Sequence, residues 1–174
     1  MDSQHLRSLQ APLKERYRTE PGAAHITLHA GGRLGEETVA CSVETGRALV
    51  EAGLHPAIGG DGTLACSGDM LLQALVACAG IKLRAVATAL DLPLNGGTVR
   101  AEGDLNFRGT LGVDRDAPVG FSDIRLGFEL DTPATEEQMA KLLELTERYC
   151  VVLQTLAGNP KITVAAEAGG SERR

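Results

Sequence analysis

Residues 67–90 read SGDMLLQALVACAGIKLRAVATAL. Met70, Leu71, Leu75, Val76, Ile81 and Val86, with alanines and Cys78 between them, surround the helical wheel almost completely. A helix apolar all round is one buried on most faces, so this stretch predicts the long central helix of the fold. Ser67 is placed to cap it, and Asp69 falls in the first turn, where the helix dipole favours a carboxylate. Lys82 and Arg84 sit near the middle of the apolar run and argue against a membrane span.

Working toward the N-terminus, residues 55–62 read HPAIGGDG, a glycine-rich loop. Neither Lys-Ser nor Lys-Thr follows it and no GxGxxG occurs, so it is not a phosphate cradle. Residues 25–30 alternate Ile26, Leu28 and Ala30 on one face and predict a strand. Residues 31–35 (GGRLG) read as a turn, 38–43 as a second strand and 47–51 as a short third. Leu6, Leu9, Leu13 and Tyr17 recur at helical spacing, predicting an N-terminal helical extension over 1–20 that ends at Pro21-Gly22.

Toward the C-terminus, Pro93 and residues 95–97 (NGG) break the chain. Two alternating strands follow, one carrying Val99, Ala101, Leu105 and Phe107 on its apolar face, the other Ile124, Leu126, Phe128 and Leu130. Their polar alternates predict an antiparallel sheet with one wet face. Residues 109–120 read as a hairpin loop. Thr135 caps a helix over 136–148, with Glu137 or Gln138 at capping-box distance. A shorter helix covers 149–156, a closing strand 161–166, and 167–174 is a frayed tail. Strands, long helix, long strands, helices and strand define an α+β fold, and nothing divides residues 1–174 into two domains.

The chain has 174 residues, 43% hydrophobic and 23% charged. That is the composition of an ordinary globular protein rather than a disordered or coiled-coil one. A net charge of −6 argues against nucleic acid or an anionic membrane as partner. With no Trp, 2 Tyr and 3 Phe, the chain lacks the aromatics of a base-stacking platform. The first 18 residues have no unbroken apolar core, so the expectation is a cytoplasmic protein. The histidines show no metal-ligand spacing, and neither a metal nor another cofactor is expected.

Cys41, Cys66, Cys78 and Cys150 contain no CxxC and fit neither a secreted disulfide framework nor a zinc ribbon. Cys41 alternates with Val39 and Val43 as a core strand residue, and Cys66 packs in a loop. On context alone Cys78 reads as a small apolar filler of a buried helix. Cys150 lies between a charged helix end, Glu147-Arg148, and a new apolar turn, where a helix N-terminus lowers a thiol pKa.

The segments GGDGTLACSGDMLLQALVACAGIKLRAVA around Cys78 and LTERYCVVLQTLAGNPKITV around Cys150 resemble the OsmC/Ohr family of thiol peroxidases over roughly residues 24–164. The resemblance implies an OsmC-like fold with antiparallel sheets around the central helix and an intertwined homodimer. It implies a peroxidase that reduces organic hydroperoxides in oxidative-stress defence. Cys78 matches the peroxidatic cysteine and Cys150 the resolving one, with a small dithiol or lipoyl-protein as reductant. Arg33, beside Gly31-Gly32, matches the arginine that holds the thiolate. The family's Pro-Glu pair at the start of the helix reads Ser67-Gly68 here, with Asp69 one position later, and Val151 stands where Pro follows the second cysteine. The missing Glu favours an alternative: an OsmC-like protein that binds an acyl or other apolar ligand and keeps its cysteines as core.

The chemistry the resemblance implies is physically coherent. A thiolate must attack the O–O bond, and a buried thiol stays protonated unless a cation is near. Arginine supplies that cation, an apolar wall favours a hydroperoxide with an apolar tail, and a second thiol captures the sulfenic acid as a disulfide.

Overall fold

The computed structural model describes residues 3–34, 41–43 and 52–165. The elements run α1 (Ser3–Thr19), β1 (His25–Leu34), β2 (Cys41–Val43), β3 (Ala52–Gly53), β4 (Ala65–Cys66), α2 (Ser67–Ala89), β5 (Gly96–Asn106), α3 (Phe107–Thr110), β6 (Phe121–Asp131), α4 (Glu136–Tyr149) and α5 (Val151–Ala157). Four strands form one antiparallel sheet in the order β2-β1-β5-β6, and β3 and β4 pair in parallel as a separate ribbon.

Helix α2 packs on β1, β2 and β5 and against α4 and α5. Leu72, Leu75, Val76, Ala79 and Leu83 are buried along that side. Each large side chain so removed from water contributes about 1.5–3 kcal/mol relative to staying exposed. By length and composition α2 is apolar enough to cross a membrane, but its apolar residues are those of a core helix lying on a sheet. Arg84 is buried with them, and its Nη1 donates to the Leu94 carbonyl, tying the end of α2 to the chain that leads into β5.

Burial does not extend around the whole helix. Leu71, Ala74 and Ile81 are exposed and Cys78 and Ala85 half-buried. Ser67 is the first helical residue rather than the cap; Cys66 occupies the cap position, with no side-chain hydrogen bond to the helix. Asp69 is in the first turn, as its sequence position predicts.

Over residues 31–34 the expected turn is replaced by strand, and residue 35 lies outside the described residues. β1 continues through Gly31, Gly32 and Arg33 to Leu34, with Arg33 opposite Thr98 of β5 and Ser42 of β2. Glycine has weak strand preference, but two flanking partners supply a ladder that overrides it. The expected second strand is strand at Cys41–Val43, and the expected third, at 47–51, lies outside the described residues. Phe107 leaves the strand pattern to open α3, where the Asn106 side chain accepts the Arg108 N–H. The expected closing strand at 161–166 is not one: residues 161–165 are neither helix nor strand, and Ile162 and Val164 are 81% and 89% exposed. Residue 166 and the tail beyond it lie outside the described residues.

The long strands follow their alternation. Val99, Ala101 and Leu105 are buried on β5, while Arg100 is exposed and Glu102 and Asp104 are half-buried. The glycine-rich loop is a structural turn. Gly59 has φ +98°, and a side chain on Gly60 would collide with the Leu54 carbonyl. The loop is held by the His55 Nδ1, which accepts the Ala57 N–H, and by Tyr17, whose hydroxyl donates to the Ala57 carbonyl. Thr135 and Gln138 form a reciprocal capping box on α4, which turns Leu142 and Thr146 into the core. Replacing Leu142 by Ala, at 1% exposure, should cost about 2–5 kcal/mol in urea unfolding, against about 1 kcal/mol for the exposed cap change Thr135→Ala.

Candidate functional site

Cys150 is both the last cap of α4 and the first of α5. Its N–H donates to the Thr146 carbonyl and its own carbonyl accepts from Gln154, both at 2.9 Å, so the chain turns between helices without losing backbone bonds. The tight junction turns the Cys150 side chain fully into the core. There it meets Cys78, halfway along α2, and the two thiols share a hydrogen bond. Cys66, Cys78 and Cys150 are all free thiols.

Burial pushes the Cys150 thiol up, and the backbone N–H of Leu153 pulls it back in part. The hydrogen bond to Cys78 and the charge Cys78 can carry raise it further, against a smaller pull from the Val152 N–H. The sequence position at a helix start predicts the opposite direction. The N–H groups are there and act as expected, but desolvation outweighs them. The two cysteines are thus unequal: Cys78 is partly accessible on the open side of α2, and Cys150 is enclosed and held protonated.

Of the other two candidates, Arg33 has its backbone in β1, a strand that packs on α2, while its side chain lies outside the described residues. Asp69 precedes Cys78 by nine residues on one helix. That places it about 13 Å away along the axis and roughly half a turn around it, given 1.5 Å and about 100° per residue. The fold thus brings Cys78 and Cys150 together and holds Asp69 apart from both. The Cys41 side chain lies outside the described residues, and half-buried Cys66 packs on the core from β4. Among the described residues no group of three or more His, Cys, Asp or Glu could hold a metal ion.

A cavity of about 350 Å³ opens between α2, β6 and α5, and neither cysteine lines it. Its apolar lining includes Leu75, Phe121, Leu126, Leu153 and Leu156, and Ser122 and Asp123 line it as well. Leu75 is one turn before Cys78, and Leu153 is the residue whose N–H reaches the Cys150 sulfur. Sequence reading did not single out these residues for the site. Each belongs to an ordinary apolar pattern, and only the packing of three distant elements encloses a space between them.

The family model described as OsmC-like protein matches residues 60–165. An OsmC-like hydroperoxide resistance protein from Jannaschia sp. superposes with a TM-score of 0.60 at 16% identity, covering 85% of this chain and 97% of that one. An OsmC-like protein from Mycoplasma pneumoniae gives a TM-score of 0.54 at 17% identity, over 77% of this chain and 86% of that one. No curated protein matches the chain. The two structural likenesses establish the fold alone. The family match spans more than half of the chain, including both cysteines and the helices that carry them, and by it the chain belongs to the family of OsmC-like proteins.

Proposed function

We propose that this chain is a thiol peroxidase that reduces organic hydroperoxides, with Cys78 as the attacking residue and Cys150 as the resolving one. The observation that carries the reading is the contact between two free, chemically unequal thiols. The solved Jannaschia structure bears the name of a hydroperoxide resistance protein, which agrees with it.

The order of attack follows from the inequality. The accessible Cys78 thiolate attacks the outer peroxide oxygen; the O–O bond breaks, an alkoxide leaves and takes a proton, and Cys78 becomes a sulfenic acid. Cys150, still protonated, is already in contact. Its sulfur displaces hydroxide from the sulfenic sulfur as its proton departs, and the products are a disulfide and water. An external dithiol, of small-molecule or lipoyl type, then exchanges with the disulfide, returning both thiols and leaving oxidised itself. Arg33 is proposed as the cation that keeps Cys78 ionised, since a guanidinium remains charged at every working pH. Asp69 stands too far along α2 to touch the thiols, so any part it takes in the chemistry runs through that guanidinium.

A second copy of the chain is part of the reading. Leu71, Ala74, Cys78, Ile81, Ala85 and Thr88 recur at alternating spacings of three and four, forming one stripe along the open side of α2. This is the spacing of a helix–helix seam, and Cys78 lies in its middle. A homodimer paired through this stripe would shield the reactive thiol from bulk water. The alternative, an apolar-ligand binder with core cysteines, has one feature in its favour: Ser67-Gly68 supplies no carboxylate at the helix start.

Five outcomes test the reading. One equivalent of cumene hydroperoxide should consume Cys78 and Cys150 and leave Cys41 and Cys66 reduced. Cys78→Ser should abolish the reaction, and Cys150→Ser should permit one turnover and leave a sulfenic acid on Cys78, read by mass spectrometry. Four thiols unreactive in the folded, reduced protein would leave only the binding alternative. Arg33→Ala should slow peroxide reduction on the order of 10²-fold in stopped-flow kinetics, the usual loss of one electrostatic stabiliser. Ile81→Glu should halve the mass seen by sedimentation, because a charge in an apolar seam has no partner; an unchanged mass would place the interface elsewhere.

A further inference from the structure

Of the three helices that meet at the thiol pair, α5 is the least anchored. It has seven residues, too few for a helix to hold itself in water, and none of them is buried. No side chain caps its N-terminus, and it stops at Gly158, Asn159 (φ +44°) and Pro160. Residues 157–165 are exposed throughout, so no described packing holds its far end. Toward β6, Leu153, Leu156 and Ala157 line the cavity of about 350 Å³, which leaves that side incompletely packed. A second hollow, of about 430 Å³, opens along Val151, Gln154, Thr155 and Gly158. Helix α4 is the contrast, with a reciprocal capping box and with Leu142 and Thr146 buried. A short element with few buried contacts belongs to the low-stability end of a structure. Yet the first turn of α5 wraps the Cys150 sulfur, to which the Val152 and Leu153 N–H groups donate, and Cys150 is fully buried.

We propose that α5 is a gate: it opens as a unit about the Cys150 joint, and its opening admits the external dithiol to the Cys150 sulfur. That the visitor is a dithiol rests on the peroxidase reading; that α5 opens by itself and uncovers Cys150 does not. The exchange step needs such access. A thiolate of the dithiol attacks one sulfur of the Cys78–Cys150 disulfide and expels the other. Burial raises the Cys150 thiol and so makes Cys150 a poor leaving group, which directs the attack to Cys150 itself. With α5 closed, that sulfur is out of reach. With α5 open, the reductant's thiolate bonds to the Cys150 sulfur, the S–S bond breaks, and Cys78 leaves as a thiolate. The reductant's second thiol gives up its proton and attacks its own sulfur in the mixed disulfide. Cys150 leaves, takes that proton and returns as a thiol, and the reductant departs as a cyclic disulfide, having supplied two electrons. Closing of α5 then returns Cys150 to its contact with Cys78.

The test reads the opening first, without turnover. In the reduced full chain, N-ethylmaleimide labelling of Cys150, resolved by mass spectrometry, should depend only weakly on urea, the mark of a local opening. Amide hydrogen exchange in residues 152–157 should give the same opening constant, with residues 139–147 of α4 far better protected. Thr155 is exposed in mid-helix, so Thr155→Gly and Thr155→Ala act on the helix rather than on the core. The Gly variant should open about fivefold more than the Ala variant, the difference in their helix propensities. Cys150 labelling should follow that factor, and Cys66 labelling should not. Reduction of the hydroperoxide-formed disulfide by dithiothreitol, read after acid quench, should follow it too. Labelling of Cys150 only on global unfolding, or at one rate in both variants, would overturn the gate. Opening as described in a chain that forms no disulfide with hydroperoxide would keep the α5 opening and remove the peroxidase reading. A disulfide that forms with hydroperoxide and is reduced at one rate in both variants would do the reverse.

Discussion

The burial of one side of α2 against the sheet and against α4 and α5 positions everything else in this protein. Leu72, Leu75, Val76, Ala79 and Leu83 anchor that side. Once they are packed, the rotation of the helix is set, and Cys78 comes to lie at the edge of the buried side, where α4 hands over to α5. The same packing presents the stripe from Leu71 to Thr88 to the outside. A rotation of one residue's arc would bury Cys78 completely or carry it away from Cys150. The contact between the thiols is therefore a consequence of core packing rather than of any attraction between two sulfurs.

The thiols show how a local rule and a tertiary one compete. A cysteine that opens a helix sits among N–H groups that favour its thiolate, and Cys150 has two such donors, from Val152 and Leu153. Full burial acts in the opposite sense and outweighs them. This inequality is what the proposed roles rest on: Cys150 is enclosed and raised, and Cys78 is only half-buried.

The sheet divides its labour by face. Inward residues of β5 receive α2 and those of β6 wall the cavity, while their outward neighbours carry Arg100, Glu102, Asp104, Asp123, Arg125 and Glu129. Exposed ion pairs of this kind contribute little to stability.

The antiparallel strands, the long helix and the capped α4 were legible in the sequence because each is a local pattern. Alternation in residues 98–106 and 121–131, an apolar helix from 67 and the Thr135–Gln138 box all act over a few residues. The extension of β1 through Gly31, Gly32 and Arg33 was not legible, because its ladder bonds come largely from β5, far along the chain. Nor was the absence of a strand at 161–165, where alternation is present but no described strand pairs with it. Cys78 and Cys150 were recognisable by resemblance and by their contexts, but their contact, the raised Cys150 thiol and the enclosure of Leu75, Leu126 and Leu153 around one space were decided by tertiary structure. Pattern and propensity are properties of neighbouring residues, whereas proximity and desolvation arise only when distant segments exclude water together.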